Sequence, residues 1–385
     1  MNLTYIIGNG FDIGLGLKTS YADFLNEFLS LDSDWARDGK GVERLRKMIV
    51  RDRQSWSDAE QAFAKIDFNK LVAVDGWIPS CDKELHEYRA QDTCNFFIRK
   101  LGEFLMAQQE RVSLSIDDSI RHQFLKALLI APVIHSQSKR YSFQEWQTQV
   151  MQTFGSLDVN FITFNYTSVL ERLLGATPFT CYNDEIMKEW GAPVRFNTPI
   201  HVHGKLEGRE VDPDKMVFGV SYRDQIEHPP LGFDDAWIEK RFVKPDRLDF
   251  ECKSVDDASS DVSSILAASD VIVLFGVSLG SSDAKWWNSL GELMRKNGRM
   301  HLVYCDFNKI AQCPVAGFET EYLELVRNKV LQAMEVGLET RQYIEKRIFA
   351  LSQGPVYYPD DKERQDPIMG DPLCLKWFGG KLEIQ

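Results

Sequence analysis

Four short stretches of this chain carry residue types that could hold a phosphate, fix a hydroxyl or water, and accept a proton. The first is Gly8-Asn9-Gly10-Phe11-Asp12, placed directly after the run Leu3-Thr4-Tyr5-Ile6-Ile7. A Gly-x-Gly turn behind a buried strand lets the backbone approach a ligand closely, because glycine accepts positive φ. Amides at a helix start just beyond it can face an anion such as a phosphate. A dinucleotide fingerprint would place a third glycine at position 13, where this chain has Ile13. A plain tight turn satisfies the same pattern, so both readings stand on this segment alone.

The second stretch is Asn165-Tyr166-Thr167. An asparagine amide both donates and accepts, so Asn165 could fix a hydroxyl or a water, or could serve as an ordinary polar turn residue. The third is Pro199-Ile200-His201-Val202-His203-Gly204. Side chains at i and i+2 of a strand share a face, so His201 and His203 could share a site if the piece is extended throughout. An imidazole can accept a proton near neutral pH. Two such histidines could also make half a metal site, but no cysteine or second histidine pair completes it, and Glu207 and Asp212 match no ligand spacing. No metal is expected. The fourth stretch is Gly276-Val277-Ser278-Leu279-Gly280 with Asp283, which also fits a strand-to-helix turn capped by Ser281 or Ser282.

The elements that must position these residues follow from periodicity. Continuous apolar runs at 3–7, 161–164, 271–275 and 300–305 read as buried parallel strands, each closed by a polar or glycine turn. Helical patterns follow at Ser20–Leu31, Thr167–Leu174 and Ala284–Lys296. This alternation predicts an α/β fold with a doubly wound, mostly parallel, Rossmann-like sheet. Ligands on such sheets bind beyond the carboxyl ends of the strands, where all four stretches lie. Between about residues 32 and 156 the pattern is helical, as at Asp82–Gln109 and Ile116–Ala131, and reads as a large insertion between the first two strands. There Ser57 with Glu60 reads as a capping box. The sheet domain spans about 1–310. Residues 311–385 read as a C-terminal extension, helical from Gly317 to Leu351 and irregular from Gly354 to Asp371.

Composition bounds the function classes. The chain has 385 residues, 44% hydrophobic and 26% charged, as ordinary globular proteins do. Its net charge of −12 repels a phosphate backbone, so a nucleic-acid partner is not expected. The run Arg44, Arg46, Lys47, Arg51 and Arg53 reads as a solvated helix face. Most of the nine tryptophans read as core or interface anchors. No run is long enough to span a membrane, and no basic-then-apolar leader opens the chain. Seven scattered cysteines fit reduced thiols, so a cytoplasmic location is expected.

Taken in order, these motifs are similar to a known family. Ile6–Asp12, Leu17–Phe24, Trp56 with Glu60, Thr163–Thr167, His201–Gly204 and Phe275–Asp283 resemble the bacterial AbiH family of phage abortive-infection proteins over about residues 1–310. The same order of turns is similar to sirtuin-like domains, and several phage-defence proteins with such domains hydrolyse NAD. The resemblance implies NAD, as substrate or ligand. It implies that Asn165 lies beside the nicotinamide ribose and that His203 is the general base. Gly8, Gly10 and Phe11 would bound the phosphates and ribose, with Asn9, Asp12, Thr167 and Gly276 beside them. Ser278 and Asp283 would reach the far end of the nucleotide. The chain departs from the pattern in two places: Thr167 stands where sirtuin-like enzymes usually carry Asp, and Val277 where AbiH relatives often have His.

Cleavage would pass through an oxocarbenium-like state, and neutral nicotinamide would leave without a strong acid. Asp12 could stabilise that positive charge if it points inward, or could merely cap a helix. The leading expectation is therefore an NAD-consuming hydrolase active during phage infection. The alternative is a non-catalytic nucleotide sensor acting through a partner. A nuclease-like toxin is a third reading, which the acidic surface and the lack of a carboxylate cluster disfavour. A phage-derived trigger and a homo-oligomer are further possible partners.

Overall fold

A computed structural model describes residues 1–30, 40–67, 70–71, 83–111, 121–122, 124–125, 128–129, 148, 152–175, 178–181, 188, 190–208, 210–228, 235–245, 258–306 and 318–352. The fold is mixed α/β around an eight-stranded sheet. The strands are β1 (Asn2–Ile7), β2 (Leu157–Thr163), β3 (Phe179–Cys181), β4 (Val194–Phe196), β5 (Ile200–His201), β6 (Val271–Phe275), β7 (His301–Asp306) and β8 (Ile348–Ser352). Their order is β3-β4-β2-β1-β6-β7-β8, with β5 pairing β2. Every pairing is parallel except β3 with β4. The chain thus starts at the centre, builds to one side through β2, then returns to the other side of β1 as β6.

The strands form where they do because both faces are covered. Leu3, Tyr5, Ile7, Phe161 and Val273 point to one face. There they pack on α6 (Val169–Leu174) and on Phe124, Leu125, Leu128 and Leu129. Ile6, Ile162, Ile272 and Leu274 point to the other face. They meet α8 (Ala258–Ala268), α9 (Ala284–Lys296), α10 (Phe318–Ala333) and α11 (Leu338–Glu345). Alternate residues of one strand are therefore buried on opposite sides, which is why the runs are apolar throughout.

Between β1 and β2 the described chain is helical, with α1 (Gly10–Gly14), α2 (Tyr21–Ser30), α3 (Lys40–Arg51), α4 (Ala59–Ala64) and α5 (Lys83–Arg111). These helices bury an aromatic core of their own. Phe24, Phe28 and Phe63 pack their rings edge-on or tilted against Phe97, and Phe63 and Phe97 meet Phe218, which comes from the segment after His203. Each fully buried Phe contributes roughly 1.5–3 kcal/mol. That core also holds α7 (Asp235–Phe242). The basic run of α3 is solvated only in part: Val42, Leu45 and Ile49 turn inward and Lys47 is exposed, but Arg44 and Arg46 are half-buried and donate to Leu71 O at 3.3 Å and Leu29 O at 2.5 Å.

Several expectations are corrected. Asp58, not Ser57, caps α4, its carboxylate accepting from the Gln61 amide at 3.1 Å, and Glu60 is drawn inward by a buried cation. The helical reading up to Leu351 misses β8, which pairs in parallel with β7 and joins the chain after residue 310 to the same sheet. Strands β3 and β4 were also not expected, being three residues each. The strand carrying the two histidines stops at His201, the chain bends, and Val202 enters the core. Parts of the expected helix at 116–131 and all of the tail at 354–371 lie outside the described residues.

The glycine turn is packed against its own fold. Gly276 has φ +67, a left-handed conformation, and a Cβ on Gly10 would stand 2.6 Å from the Gly276 Cα. Gly10 is therefore small because another backbone lies against it. Gly10→Val is expected to lose stability by about 1–3 kcal/mol or more through overpacking, whatever its effect on ligands. A variant that melts at the wild-type temperature would overturn this reading.

Candidate functional site

The carboxyl ends of β1, β2, β6 and β7 open onto one cleft of about 660 Å³. It lies where the strand order reverses around β1, the place where open parallel sheets bind ligands. Its volume is in the range of small-molecule sites. Gly8, Asn9, Gly10 and Asp12 line it from the first turn, Asn165 and Thr167 from the second, His203 from the third, and Gly276, Ser278 and Asp283 from the fourth. The start of α2 supplies a wall through Tyr21, and the insertion through Asp58 and Glu60.

One expected residue lies elsewhere. Phe11 does not line the cleft; its ring packs on Phe124 and Phe275 in the core. The turn amides are also committed within the protein. Gly8 N donates to Phe275 O at 2.9 Å, Gly10 N to Gly276 O at 2.8 Å, and Phe11 N to Gly8 O at 3.0 Å. Those three donors therefore face no anion. Asn9 is likewise tied down, exchanging two hydrogen bonds with Thr19, at 2.8 and 2.6 Å.

Asp12 points inward. Its Oδ2 accepts from the Thr167 hydroxyl at 2.6 Å and its Oδ1 from the Asn165 amide at 3.2 Å. The amide's other end, Asn165 Oδ1, is buried and has no hydrogen-bond partner. A buried acceptor without a partner is costly, so this atom is one a ligand hydroxyl or water could satisfy. Behind Asn165, His201 is bonded on both ring nitrogens, to Asn165 O at 2.8 Å and to Glu171 Oε1 at 2.7 Å. It holds the Asn165 backbone and does not line the cleft. The two histidines therefore do not share a site.

Burial pushes the Asp12 carboxyl up to about 7, against the hydrogen bonds that favour its charged form. A carboxyl raised above its unfolded value of roughly 4 gives most stability below that value. Stability then falls as pH rises from roughly 4 to about 7, by at most about 1.4 kcal/mol per pH unit, and is level above. Asp12→Asn removes the buried charge and keeps an acceptor for Asn165. The variant is expected to gain stability on the wild type between pH 4 and 7, read by urea unfolding at pH 5 and pH 8. An equal difference at both pH values would show that Asp12 ionises without cost.

His203 lines the same cleft. Its ring stacks on Phe164 at 4.8 Å, and its Nε2 is 3.2 Å from Asp283 Oδ1. Asp283 in turn meets Lys244 Nζ at 2.8 Å, and Lys244 meets Glu60 Oε2 at 2.8 Å. Lys244 is set in place by a short parallel bridge. Val220 N donates to Phe242 O at 2.9 Å, and Lys244 N donates to Val220 O at 2.8 Å. Sequence reasoning missed Lys244 altogether, since its partners lie 184 and 39 residues away. Asp58 and Asp306 add further acids to the lining, which also includes Lys329.

The family model described as bacteriophage abortive infection AbiH matches residues 4–304, from β1 into β7. The chain belongs to the AbiH family. The matched span contains all four turns of the cleft, with Lys244 and Glu60. No curated protein matches the chain. Among the described residues of this AbiH chain, no group of three or more His, Cys, Asp or Glu is placed to hold a metal. No helix among them is long and apolar enough to cross a membrane.

Proposed function

We propose that this AbiH protein acts in abortive infection as a hydrolase that cleaves nicotinamide from NAD, on a doubly wound, sirtuin-like core. The observation that carries this reading is the buried Asp12–Asn165–Thr167 group, in which Asn165 lines the same cleft as His203 and its buried Oδ1 is unpaired. Thr167 stands where sirtuin-like enzymes usually have Asp, and Asp12 brings a carboxylate to that hydroxyl from another turn.

The roles follow from residue chemistry. Asn165 Oδ1 accepts from a ribose hydroxyl or from the attacking water. As the bond to nicotinamide breaks, positive charge moves onto the sugar, and the Asp12 carboxylate and the acidic lining stabilise it. Water adds to the anomeric carbon, its proton passes to His203, and neutral nicotinamide leaves with the bonding pair. NAD and water become ADP-ribose, nicotinamide and one proton. Asp283 fixes the imidazole from behind.

The acidic lining also bears on what binds. It favours the cationic nicotinamide end of NAD over a ligand carrying additional phosphate. The test is incubation of the purified protein with NAD, with mass spectrometry of products and of co-purified nucleotides. Equal amounts of nicotinamide and ADP-ribose are expected. Intact NAD beside a retained nucleotide would instead support the sensor reading, and neither would count against the cleft as a nucleotide site.

A further inference from the structure

Four side chains from four separate parts of the chain meet at one side of the cleft, three of them, Glu60, His203 and Asp283, lining it. Glu60 comes from α4 of the insertion, Lys244 from the end of the segment after α7, Asp283 from the turn before α9, and His203 from the bend after β5. Glu60, Lys244 and His203 are buried and Asp283 nearly so. The contacts run in series: Glu60 Oε2 to Lys244 Nζ at 2.8 Å, Lys244 Nζ to Asp283 Oδ1 at 2.8 Å, and Asp283 Oδ1 to His203 Nε2 at 3.2 Å. The Gly219 amide donates to the other Glu60 oxygen at 3.3 Å.

We propose that these four residues share one proton, which resides on either Glu60 or His203, and that Glu60 is the positioning residue that sets how readily His203 takes it. This rests on the reading of His203 as the proton acceptor of the cleft. The reason is charge balance. One ammonium between two carboxylates leaves a net charge of −1 when the imidazole is neutral. An unbalanced charge in a dry interior is costly, so one added proton is favoured. With the proton on Glu60 the group is neutral and His203 is free to act as a base. With the proton on His203 the group is again neutral, because Glu60 is ionised and still paired with Lys244. The two states carry the same net charge, so when His203 takes a proton from the attacking water the group stays neutral provided Glu60 releases its own proton to the water of the cleft.

The surroundings act in the same direction. Burial pushes the Glu60 carboxyl up to about 7, while Lys244 and His203 hold Asp283 ionised and Asp283 and Glu60 hold Lys244 charged. Asp58, Tyr21 and Tyr166 lie within electrostatic range of Glu60, and the rings of Tyr166 and of uncharged Phe164 pack against His203. None of these groups is a second cation that could replace Lys244. Because Glu60 belongs to the insertion, the packing of α4 helps set the proton affinity of a residue in the cleft.

The readout is nuclear magnetic resonance on the full chain, with ¹⁵N-labelled histidine and ¹³C-labelled glutamate. His203 is assigned by its loss in His203→Gln. In the wild type, the His203 and Glu60 curves are expected to share their inflection points, as coupled sites do. In Glu60→Gln the amide keeps the bond to Lys244 but removes a charge, and a protonated His203 would leave the group at +1. The His203 midpoint is therefore expected to move to lower pH, while Lys244→Arg stays near the wild type. Independent single-site curves in the wild type, or an unmoved midpoint in a folded Glu60→Gln, would overturn the proposal. The wild-type measurement stands even where the variant does not fold. Neither readout uses NAD, so a protein that shares the proton and yet cleaves no NAD would refute the hydrolase reading alone.

Discussion

His203→Ala is expected to slow NAD cleavage by roughly two to four orders of magnitude, the range for losing a positioned acid–base group. Asn165→Ala should fall in the same range, for a different reason. Its Oδ1 is the unpaired buried acceptor of the cleft, and its loss removes the group that orients the hydroxyl or water. His203→Ala leaves no charge stranded, since Asp283 keeps Lys244, and in Asn165→Ala the buried Asp12 carboxyl, raised to about 7, keeps the Thr167 donor and can take a proton. Both variants should therefore fold, which thermal unfolding checks. Infected cells carrying the wild type should lose NAD and be protected as a population; cells carrying either variant should do neither. A mixed outcome separates the hypotheses. If both variants lose protection while NAD never falls in the wild type, the cleft matters and NAD is not its substrate. If protection survives both, the chemistry lies outside this cleft.

What the sequence disclosed about this arrangement depended on range. The runs at 3–7 and 271–275 were legible as strands because parallel pairing buries both faces and leaves a continuous apolar signature. From four strand ends, the rule for open sheets placed Gly8, Asn165 and Gly276 at one cleft, where they lie. Strands β3 and β4 were too short to show a period, and β8 follows directly on α11, so its apolar residues blended with a helical pattern. The cap shifted by one residue because Ser57 and Asp58 are equally good cap types; which one closes the helix depends on the 3-10 turn at Ser55–Ser57. The bend after His201 was illegible for a tertiary reason. Alternation would have put the two histidines on one face, but pairing with β2 ends at Thr163, and Val202 is taken up by the core. Glu60 was visible only as a motif residue and Lys244 not at all, because a salt bridge across 184 positions leaves no local pattern.

Lys244→Met is expected to be the most destabilising substitution at the cleft, costing about 3–5 kcal/mol at neutral pH. The methionine fills much of the same volume, so the loss is electrostatic. It leaves Glu60 and Asp283 buried in each other's field with no fixed cation between them. The pH dependence distinguishes this from a packing defect. In the wild type, Lys244 and His203 hold the Asp283 carboxyl well below its ordinary range. That pairing stabilises the fold above the unfolded value of roughly 4 and is lost as pH falls through the lower folded value. In the variant both carboxyls can take protons before they must be buried as charges. The difference between wild type and variant, measured by urea unfolding, should therefore shrink from pH 8 to pH 5. A second substitution tests the cause. Adding Glu60→Gln to Lys244→Met removes one of the two stranded charges, and the pair should be less destabilised than the sum of the single changes by about 0.5–3 kcal/mol, the coupling expected of residues in one network. Strict additivity, with a pH-independent loss, would mean that Lys244 acts through packing alone and that the charges behind His203 are not coupled.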